Sequence, residues 1–190
     1  MQNSTSKVRV LTGTAMLGAV AAVLMYLEFP IPIMPAFVKL DVSELPALIA
    51  SFAYGPVSGI LVCLIKNLIK LPSTSTAAVG ELFNFVMGAL FVGVAGLIYK
   101  RNKTRKGAIV GALLGALVMA VVPVPYTYFI VYPAYVVMYH LPLDAIIGMY
   151  QAINPNVNGL LACLLVFNLP FTFVKGALDA VLCFLVYKPL

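Results

Sequence analysis

Apolar residues along this chain gather into six stretches separated by polar or proline-rich segments. A helix that crosses the hydrocarbon core of a bilayer needs about 20 apolar residues. The second and third stretches are too short for this, and they meet at Gly55-Pro56. The pattern predicts membrane-spanning helices and leaves two interpretations of the middle pair, one long helix over 45–71 or a hairpin of two helices. The stretches cover residues 8–28, 45–54, 57–71, 79–99, 107–138 and 159–187.

The composition indicates that the solvent of this chain is lipid. Apolar residues make up 63% of the 190 residues and charged residues 9%, and the mean hydropathy is +1.05. A soluble domain has about 45–50% apolar and about 25% charged residues, and a chain of this length has too little interior to bury the excess. We therefore expect an all-α, multi-pass membrane protein in which residues 1–190 form a single domain. Soluble enzymes and free nucleic-acid binders are excluded.

Basic residues decide between the two interpretations of the middle pair. Lys and Arg collect on the cytoplasmic side of membrane proteins, and the one dense basic run is 100–106. A hairpin at Gly55-Pro56 puts this run on the same side as Lys7 and Arg9, whereas a single helix over 45–71 puts it on the opposite side. We therefore predict six transmembrane helices with cytoplasmic N- and C-termini, Lys188 included, and an uncleaved first helix.

This topology places the acidic residues and two long loops outside. A proline-rich loop follows the first helix, and a second outer loop covers 139–158. The last apolar stretch would be about 43 Å long as a helix at about 1.5 Å per residue, which exceeds a core of about 30 Å. We expect its spanning helix to begin near Pro170, with Asn168 at the mouth and 159–167 as a shorter piece. The outer acidic residues are Glu28, Asp41, Glu44 and Asp144.

Ionisable and polar residues inside the last span indicate a binding site. Charged groups at membrane depth are costly and usually functional. Lys175 and Asp179 are four residues apart, on one helix face, and can form an ion pair. Asn168, Thr172 and Lys175 follow at i, i+4 and i+7, and this stripe of donors exceeds what one neutralised pair requires. We therefore favour a site for a polar ligand over a purely structural pair.

Other spans carry weaker signals. Lys66 and Lys70 are explained by side chains that extend to the outer interface, and Glu81 by the N-terminus of its helix, whereas Asn84 lies deeper and is a better ligand candidate. Near the prolines of the fifth span, a group of tyrosines fits an outer aromatic belt and a stacking wall for a flat ligand equally well.

Cys63, Cys163 and Cys183 lie in apolar runs and are interpreted as small hydrophobic residues, so no disulfide or metal site is expected.

The first helix repeats small residues every four positions, at Thr14, Gly18 and Ala22 and again at Ala15 and Ala19. Such faces let helix backbones approach closely, either within the bundle or against a separate membrane subunit. The sequence contains neither a G-x-x-x-x-G-K-[ST] motif for ATP nor an H-E-x-x-H motif. The chain therefore carries no recognisable energy source or catalytic centre of its own.

Several segments resemble the riboflavin-binding S components of energy-coupling factor (ECF) transporters. The most specific is FNLPFTFVKG at 167–176, and the similarity extends over most of the chain. The other matching segments are YFIVYPAY at 128–135, IGMYQAINP at 147–155, GELFNF at 80–85 and the proline-rich loop before 39–41.

The resemblance implies a six-helix S component in a bacterial cell membrane, with a vitamin pocket near the outer face. The loop of Leu40, Asp41 and Val42 would cap it. The family's binding residues correspond to Lys175, Thr172 and Asn168, although relatives often have Asn in place of Thr172 and of Thr127. The small-residue face would meet a transmembrane coupling subunit that works with two ATPases. That face consists of Ala15, Gly18, Ala19 and Ala22.

The expected function is therefore capture of riboflavin for an ATP-driven importer, with no enzymatic activity of its own and with riboflavin as cargo rather than cofactor. Donors from Asn84, Asn168, Thr172 and Lys175 and ring faces from Phe83, Tyr128 and Tyr132 suit a flat ring with polar edges. The alternatives are an S component for another vitamin and a stand-alone facilitator. A cationic vitamin would favour a tryptophan-rich cage, and the chain has no tryptophan.

Overall fold

The computed structural model describes residues 2–35, 38–74, 78–139 and 142–186, and most of them are helical. The helices are α1 (Gln2–Tyr26), α2 (Glu44–Tyr54), α3 (Pro56–Lys70), α4 (Val79–Arg101), α5 (Arg105–Val121), α6 (Pro123–Tyr126), α7 (Tyr132–Tyr139), α8 (Leu143–Gln151), α9 (Leu160–Cys163) and α10 (Leu169–Val186). A short 3₁₀ turn, Leu71–Ser73, follows α3, and two π-helical turns, Thr127–Val131 and Leu164–Asn168, join α6 to α7 and α9 to α10.

Five helical segments are long and apolar enough to cross a membrane. The remaining apolar stretch forms α2, which has only 11 residues, so the six-span topology stays a prediction. The expected C-terminal Lys188 lies outside the described residues. The five segments are Ser6–Tyr26, Pro56–Ser73, Val79–Arg101, Arg105–Ala134 and Leu160–Val186.

The chain reverses direction between α2 and α3, as the hairpin interpretation predicts. Gly55 joins the helices with a φ of 102°, a conformation that glycine adopts without strain, and Pro56 opens α3, where its missing donor is harmless. A Cβ atom on Gly59 would lie 2.8 Å from the carbonyl oxygen of Ala47. The two helices therefore pack with their backbones almost in contact.

The α-helix of the last span begins next to Pro170, as expected, since α10 starts at Leu169, but the shorter piece before it is helical and continuous with α10. A continuous helical segment runs from Leu160 to Val186 and passes through Pro170 with the π turn Leu164–Asn168 directly before it. Proline removes one backbone donor, and a π turn re-spaces the hydrogen bonds of the preceding residues. The same combination occurs earlier, where Pro123 and Pro125 precede the π turn Thr127–Val131. Both long helices therefore continue past their prolines with a local change in hydrogen-bond spacing.

The second outer loop is also more ordered than predicted. Residues 143–151 form α8, with Asp144 in the first turn, where a negative charge suits the helix dipole. Ile146 and Tyr150 are fully buried, since they lie four residues apart and share one helix face. His140 lies outside the described residues. The helix covers the region between the fifth and last spanning segments.

Small residues bring α4, α5 and α10 close together in the centre. Cβ atoms on Gly111 and Gly115 of α5 would lie 2.7 and 2.6 Å from carbonyl oxygens of α4. Gly176 of α10 packs in the same way on Ala116. Close approach of this kind is the usual basis of helix association in membranes. It holds together α4 and α10, which carry Asn84, Thr172 and Lys175, through the small residues of α5.

The small-residue face of α1 is split between the interior and the surface. Gly18 packs against Ile65, which a Cβ atom would approach to 2.8 Å, and Ala22 is 4% exposed. Ala15 and Ala19 are exposed. Gly18 and Ala22 therefore serve packing inside the bundle, and only Ala15 and Ala19 remain on the outer surface of α1.

The described part of the loop after α1 contains a small β-sheet. Its two short strands, β1 (Phe29–Pro30) and β2 (Lys39–Leu40), pair antiparallel with Phe29 opposite Leu40 and Pro30 opposite Lys39. Proline resists helix continuation, which explains why α1 ends before this segment. We call the end of the bundle that carries this β-hairpin the hairpin end.

Candidate functional site

A cavity of about 200 Å³ opens at the hairpin end of the bundle. One water molecule occupies about 30 Å³, so this space accommodates an organic ligand. The hairpin loop, α3, α4, the π turn after α6, and α10 contribute its walls. Eight of the residues predicted from the sequence line it: Asp41, Phe83, Asn84, Thr127, Tyr132, Asn168, Thr172 and Lys175.

Three predicted ligand contacts lie elsewhere. Leu40 and Val42 flank Asp41 in the chain but do not line the cavity. Tyr128 is 40% exposed and packs edge-on against Phe129 with ring centroids 5.0 Å apart. It does not line the cavity. Tyr128 therefore suits the interfacial aromatic belt better than the stacking wall.

A buried ion cluster forms the floor of the cavity. The Lys175 Nζ atom lies 2.9 Å from Asp41 Oδ2 and 3.2 Å from Glu44 Oε2. Lys66 Nζ lies 2.7 Å from Glu44 Oε1 and also donates to Ser43 Oγ, which in turn donates to Asp41 Oδ1. Glu44 thus bridges two lysines from different helices. The cluster ties the hairpin loop, α2, α3 and α10 to one another.

The predicted pair between Lys175 and Asp179 is wrong. Lys175 pairs with the loop and with α2 instead, and neither oxygen of Asp179 has a hydrogen-bond partner among the described residues. The i, i+4 rule considers only one helix, whereas Asp41 and Glu44 approach Lys175 across the packed interface. Burial opposes ionisation of Asp41, but the charges of Lys175 and Lys66 outweigh it and hold the pKa of Asp41 well below its ordinary value.

The interpretation of Lys66 and Lys70 as interfacial side chains is also wrong. Lys66 is completely buried and Lys70 is 8% exposed. Lys70 Nζ lies 2.6 Å from Glu28 Oε2 and donates to the carbonyl oxygen of Met25 at 3.1 Å. Glu28 also pairs with Lys39 at 2.7 Å. Because a buried ammonium requires a partner, both lysines turn inward towards acidic residues at the hairpin end.

Two polar atoms on the cavity wall have no partner in the part of the chain that the structure describes. They are Asn84 Oδ1 and Thr127 Oγ1. Buried polar groups are almost always hydrogen-bonded, and an unpartnered one costs about 1–3 kcal/mol. Both residues line the cavity. Their placement therefore fits donors and acceptors that a bound polar molecule would satisfy.

Aromatic rings form the apolar part of the wall. Phe83 lines the cavity and stacks on Tyr126 with ring centroids 6.0 Å apart and an angle of 26° between the rings. Tyr132, which is 2% exposed, and Phe171 add two further rings. Apolar walls with a few convergent polar groups are the usual composition of small-molecule sites. The arrangement suits a flat ligand with a polar edge.

The two π turns help to place the polar residues. Thr127 begins the first turn and Asn168 ends the second. π turns are frequent at functional sites because the extra residue re-aims the side chains that follow. Asn168, Thr172 and Lys175 all reach the cavity from the second helix. Their roles as ligand contacts stay predictions.

Sequence reasoning missed the two residues that hold the site together, Glu44 and Tyr150. The sequence predicts Glu44 as an acidic residue on the outer side, yet it is completely buried and pairs with Lys66 and Lys175. Tyr150 lies in a segment that the sequence predicts as a loop, yet its hydroxyl donates to Asn168 Oδ1 at 2.8 Å. The burial of Tyr150 was detectable from the apolar spacing of 143–150, but the partner of Glu44 required the tertiary fold.

The described residues hold no group of three or more His, Cys, Asp and Glu side chains arranged for a metal ion. The three cysteines are buried and unpaired. Their surroundings agree with their interpretation as small hydrophobic residues.

The family model for the ECF transporter, substrate-specific component, matches residues 9–187. This chain belongs to the substrate-specific S components of ECF transporters. It is therefore a multi-pass membrane transporter component rather than an enzyme.

Similar proteins occur in several bacteria. The S component is 34% identical to the riboflavin transporter RibU of Staphylococcus aureus over 93% of this chain and 87% of that protein. It is also 34% identical to the riboflavin transporter FmnP of Bacillus subtilis over 95% of this chain and 91% of that protein. A solved S component of a bacterial ECF transporter has a TM-score of 0.75 and 32% identity, covering 99% of this chain and 95% of that chain.

Proposed function

We propose that this S component binds riboflavin in the cavity at the hairpin end and presents it to an ECF transporter for import. The observation that carries the proposal is the combination of unpartnered polar atoms and aromatic rings around one cavity. The similar proteins of Staphylococcus aureus and Bacillus subtilis are riboflavin transporters, which supports the same cargo. Riboflavin is then the transported ligand, and the chain needs no cofactor.

The chemistry of riboflavin fits this wall. Its ring system has two apolar faces, carbonyl oxygens and one ring N–H group on its edge, and a polyol tail. Phe83, Tyr132 and Phe171 offer ring faces. Asn84, Thr127, Asn168, Thr172 and Lys175 offer hydrogen bonds from three sides. A neutral ligand requires no counter-ion, which suits a cavity whose lysine is already paired with Asp41 and Glu44.

The proposed topology has six spans with both termini in the cytoplasm. In this arrangement α2 and α3 form a helical hairpin, the basic run at 100–106 is cytoplasmic, and the hairpin end faces outward. The loop that carries Asp41 then lies between the cavity and the exterior. Riboflavin would reach the cavity from outside the cell, past the ion pairs of Glu28.

The proposed partners are a transmembrane coupling subunit and two ATPases, since the sequence has no ATP-binding motif of its own. The exposed residues Ala15 and Ala19 on α1 suit close contact with a helix of the coupling subunit. Gly18 and Ala22 already pack inside the bundle and support that surface from behind.

Riboflavin binding by the purified protein tests the proposal. Titration of riboflavin with the protein in detergent is expected to quench flavin fluorescence in a saturable, one-to-one manner, because stacking on aromatic rings quenches flavins. Thiamine and biotin serve as competitors and are expected to leave the quenching unchanged. Fluorescence that stays unquenched throughout the titration would overturn the proposal, and displacement by thiamine would favour an S component for another vitamin. Uptake by vesicles containing this chain alone would favour a stand-alone facilitator.

Thr127→Val is expected to stabilise the free protein and to weaken riboflavin binding. Valine has the same shape without the unpartnered hydroxyl, so its burial avoids a penalty of about 1–3 kcal/mol, while the bound flavin loses one hydrogen bond. Affinity should fall by about 2- to 12-fold, and the thermal midpoint without ligand should rise.

The matched control is Thr14→Val. Thr14 is 3% exposed, and its hydroxyl already donates to the carbonyl oxygen of Val10 at 2.8 Å. This variant is expected to keep riboflavin affinity and to gain no stability. Equal responses of the two variants would contradict the assignment of Thr127 to the site.

A further inference from the structure

Three polar side chains from three separate elements form a line of hydrogen bonds behind the cavity wall. The hydroxyls of Tyr132 in α7 and Tyr150 in α8 lie 2.8 Å apart. Tyr150 then donates to Asn168 Oδ1, also at 2.8 Å. Tyr132 and Asn168 line the cavity, whereas Tyr150 does not. The line therefore starts and ends at the ligand cavity but passes through a residue behind it.

The direction of the hydrogen bonds follows from the single proton of each phenol. Tyr150 gives its proton to Asn168, so Tyr132 must be the donor in the contact between the two tyrosines. Burial raises the pKa of Tyr150 to about 12, against the lowering effect of its hydrogen bonds with Tyr132 and Asn168. Tyr150 is therefore a neutral phenol near pH 7 and keeps the proton that it donates.

This arrangement leaves the amide of Asn168 with one orientation. Its oxygen accepts from Tyr150, and its nitrogen, which carries two donors, turns to the other side of the amide plane. Asn168 lies on the cavity wall, so its nitrogen is the atom available to the ligand. Without Tyr150 an asparagine amide can rotate by half a turn and offer an oxygen instead.

Packing holds Tyr150 in place. Its side chain is completely buried in a cluster with Tyr132, Ile146 and Cys163. Its ring also contacts Phe167, with centroids 5.4 Å apart. Gln151, the next residue, donates to the carbonyl oxygen of Val157 at 3.1 Å and fixes the end of α8. Apolar packing around the ring thus fixes the position of the Tyr150 hydroxyl.

We propose that Tyr150 is a positioning residue for riboflavin binding, which orients Asn168 so that its amide nitrogen donates to a carbonyl oxygen on the edge of the flavin ring. This inference rests on the proposed function. It assigns a role to α8, a helix that does not line the cavity, and it specifies which part of the ligand Asn168 contacts.

The first test is a double-mutant cycle with Tyr150→Phe and Asn168→Ala. Phenylalanine keeps the ring and its packing and removes only the hydroxyl, so riboflavin affinity is expected to fall by about 2- to 12-fold. In the Asn168→Ala background the same change should have no further effect, because the residue on which it acts is gone. Tyr99→Phe, a tyrosine that packs on Phe52 in the core, is the matched control and should keep full affinity.

The second test is Asn168→Asp. Aspartate still accepts from Tyr150 but has no donor, so affinity should fall at least as far as in Asn168→Ala. In addition, the infrared carbonyl bands of riboflavin labelled with ¹³C should shift to higher frequency in Tyr150→Phe, as a hydrogen bond to the ring carbonyl weakens. A purely structural role would lower the thermal midpoint and leave these bands in place.

The outcomes separate the two proposals. If the unmodified protein binds riboflavin and Tyr150→Phe changes neither affinity nor carbonyl bands, the role of Tyr150 is wrong and the function stands. If Asn168→Asp keeps affinity, Asn168 accepts from the ring N–H group and the assigned orientation is wrong. If the unmodified protein does not bind riboflavin, the proposed function fails and this inference fails with it.

Discussion

Replacing Glu44 with leucine is expected to lower the thermal midpoint of the protein in detergent by about 6–20 °C. Glu44 is completely buried and pairs with Lys66 and Lys175 at 2.7 and 3.2 Å. Removing one partner of a buried ion pair costs about 3–5 kcal/mol, since a charge is left without compensation. For a protein of 150–250 residues each kcal/mol shifts the midpoint by about 2–4 °C.

The double variant Glu44→Leu/Lys66→Met distinguishes charge compensation from packing. A buried pair replaced by apolar residues of similar size is often as stable as the original, so most of the lost midpoint should return. Lys175 keeps Asp41 in both variants. If the double variant is as unstable as the sum of its single variants, the loss comes from packing and the electrostatic account of this cluster is wrong.

Lys39→Met is the control for an exposed ion pair. Lys39 pairs with Glu28 at 2.7 Å, but its side chain is 39% exposed. Exposed pairs contribute about 0–1 kcal/mol, so the midpoint should move by no more than about 4 °C. A loss as large as that of Glu44→Leu would mean that burial is not what makes the cluster important.

The sequence predicted those structural elements that depend on residues close together in the chain. The apolar stretches gave the long helices, because a lipid-facing helix must be apolar along its length. Gly55 and Pro56 marked the turn between α2 and α3, because each residue has a backbone property that this turn uses. The stripe of Asn168, Thr172 and Lys175 was visible because helical periodicity puts these residues on one side.

The sequence did not predict features whose cause lies between distant segments. Lys175 has Asp179 one turn away, yet it bonds to Asp41, which is 134 residues away in the chain. From the sequence, Glu44 and Lys66 are interpreted as separate interfacial charges. The local sequence around each residue gives no indication that the packing of α2 on α3 brings the two side chains together. The π turns that contain Thr127 and Asn168 also have no reliable signal in the sequence, since a proline next to them favours a helix end as readily as a change in hydrogen-bond spacing.

Together these features give the hairpin loop a structural link to the ligand site. Asp41 belongs to the loop between α1 and α2, and its partner Lys175 lines the cavity on α10. Lys175 thus has two possible contributions to affinity, a direct contact with riboflavin and an anchor for the loop. A variant of Lys175 alone does not separate these two contributions.

Lys175→Met is expected to weaken riboflavin binding by about 10- to 150-fold. An ammonium that donates to a carbonyl oxygen makes a charge-assisted hydrogen bond, which contributes about 1.5–3 kcal/mol, and each 1.4 kcal/mol corresponds to about tenfold in affinity. Methionine keeps the length of the side chain without the donor. Fluorescence titration measures the affinity, and the thermal midpoint with the elution profile of the detergent complex shows that the variant is folded.

The Asp41→Asn background separates direct contact from anchoring. Asparagine removes the charge that holds the loop to Lys175 while it leaves the lysine itself in the cavity. If Lys175 donates to riboflavin, Lys175→Met should weaken binding in this background by nearly as much as in the unmodified protein. If Lys175 acts only as an anchor, the second change should have no further effect. Lys103→Met, in the exposed basic segment between α4 and α5, should leave affinity unchanged in both backgrounds.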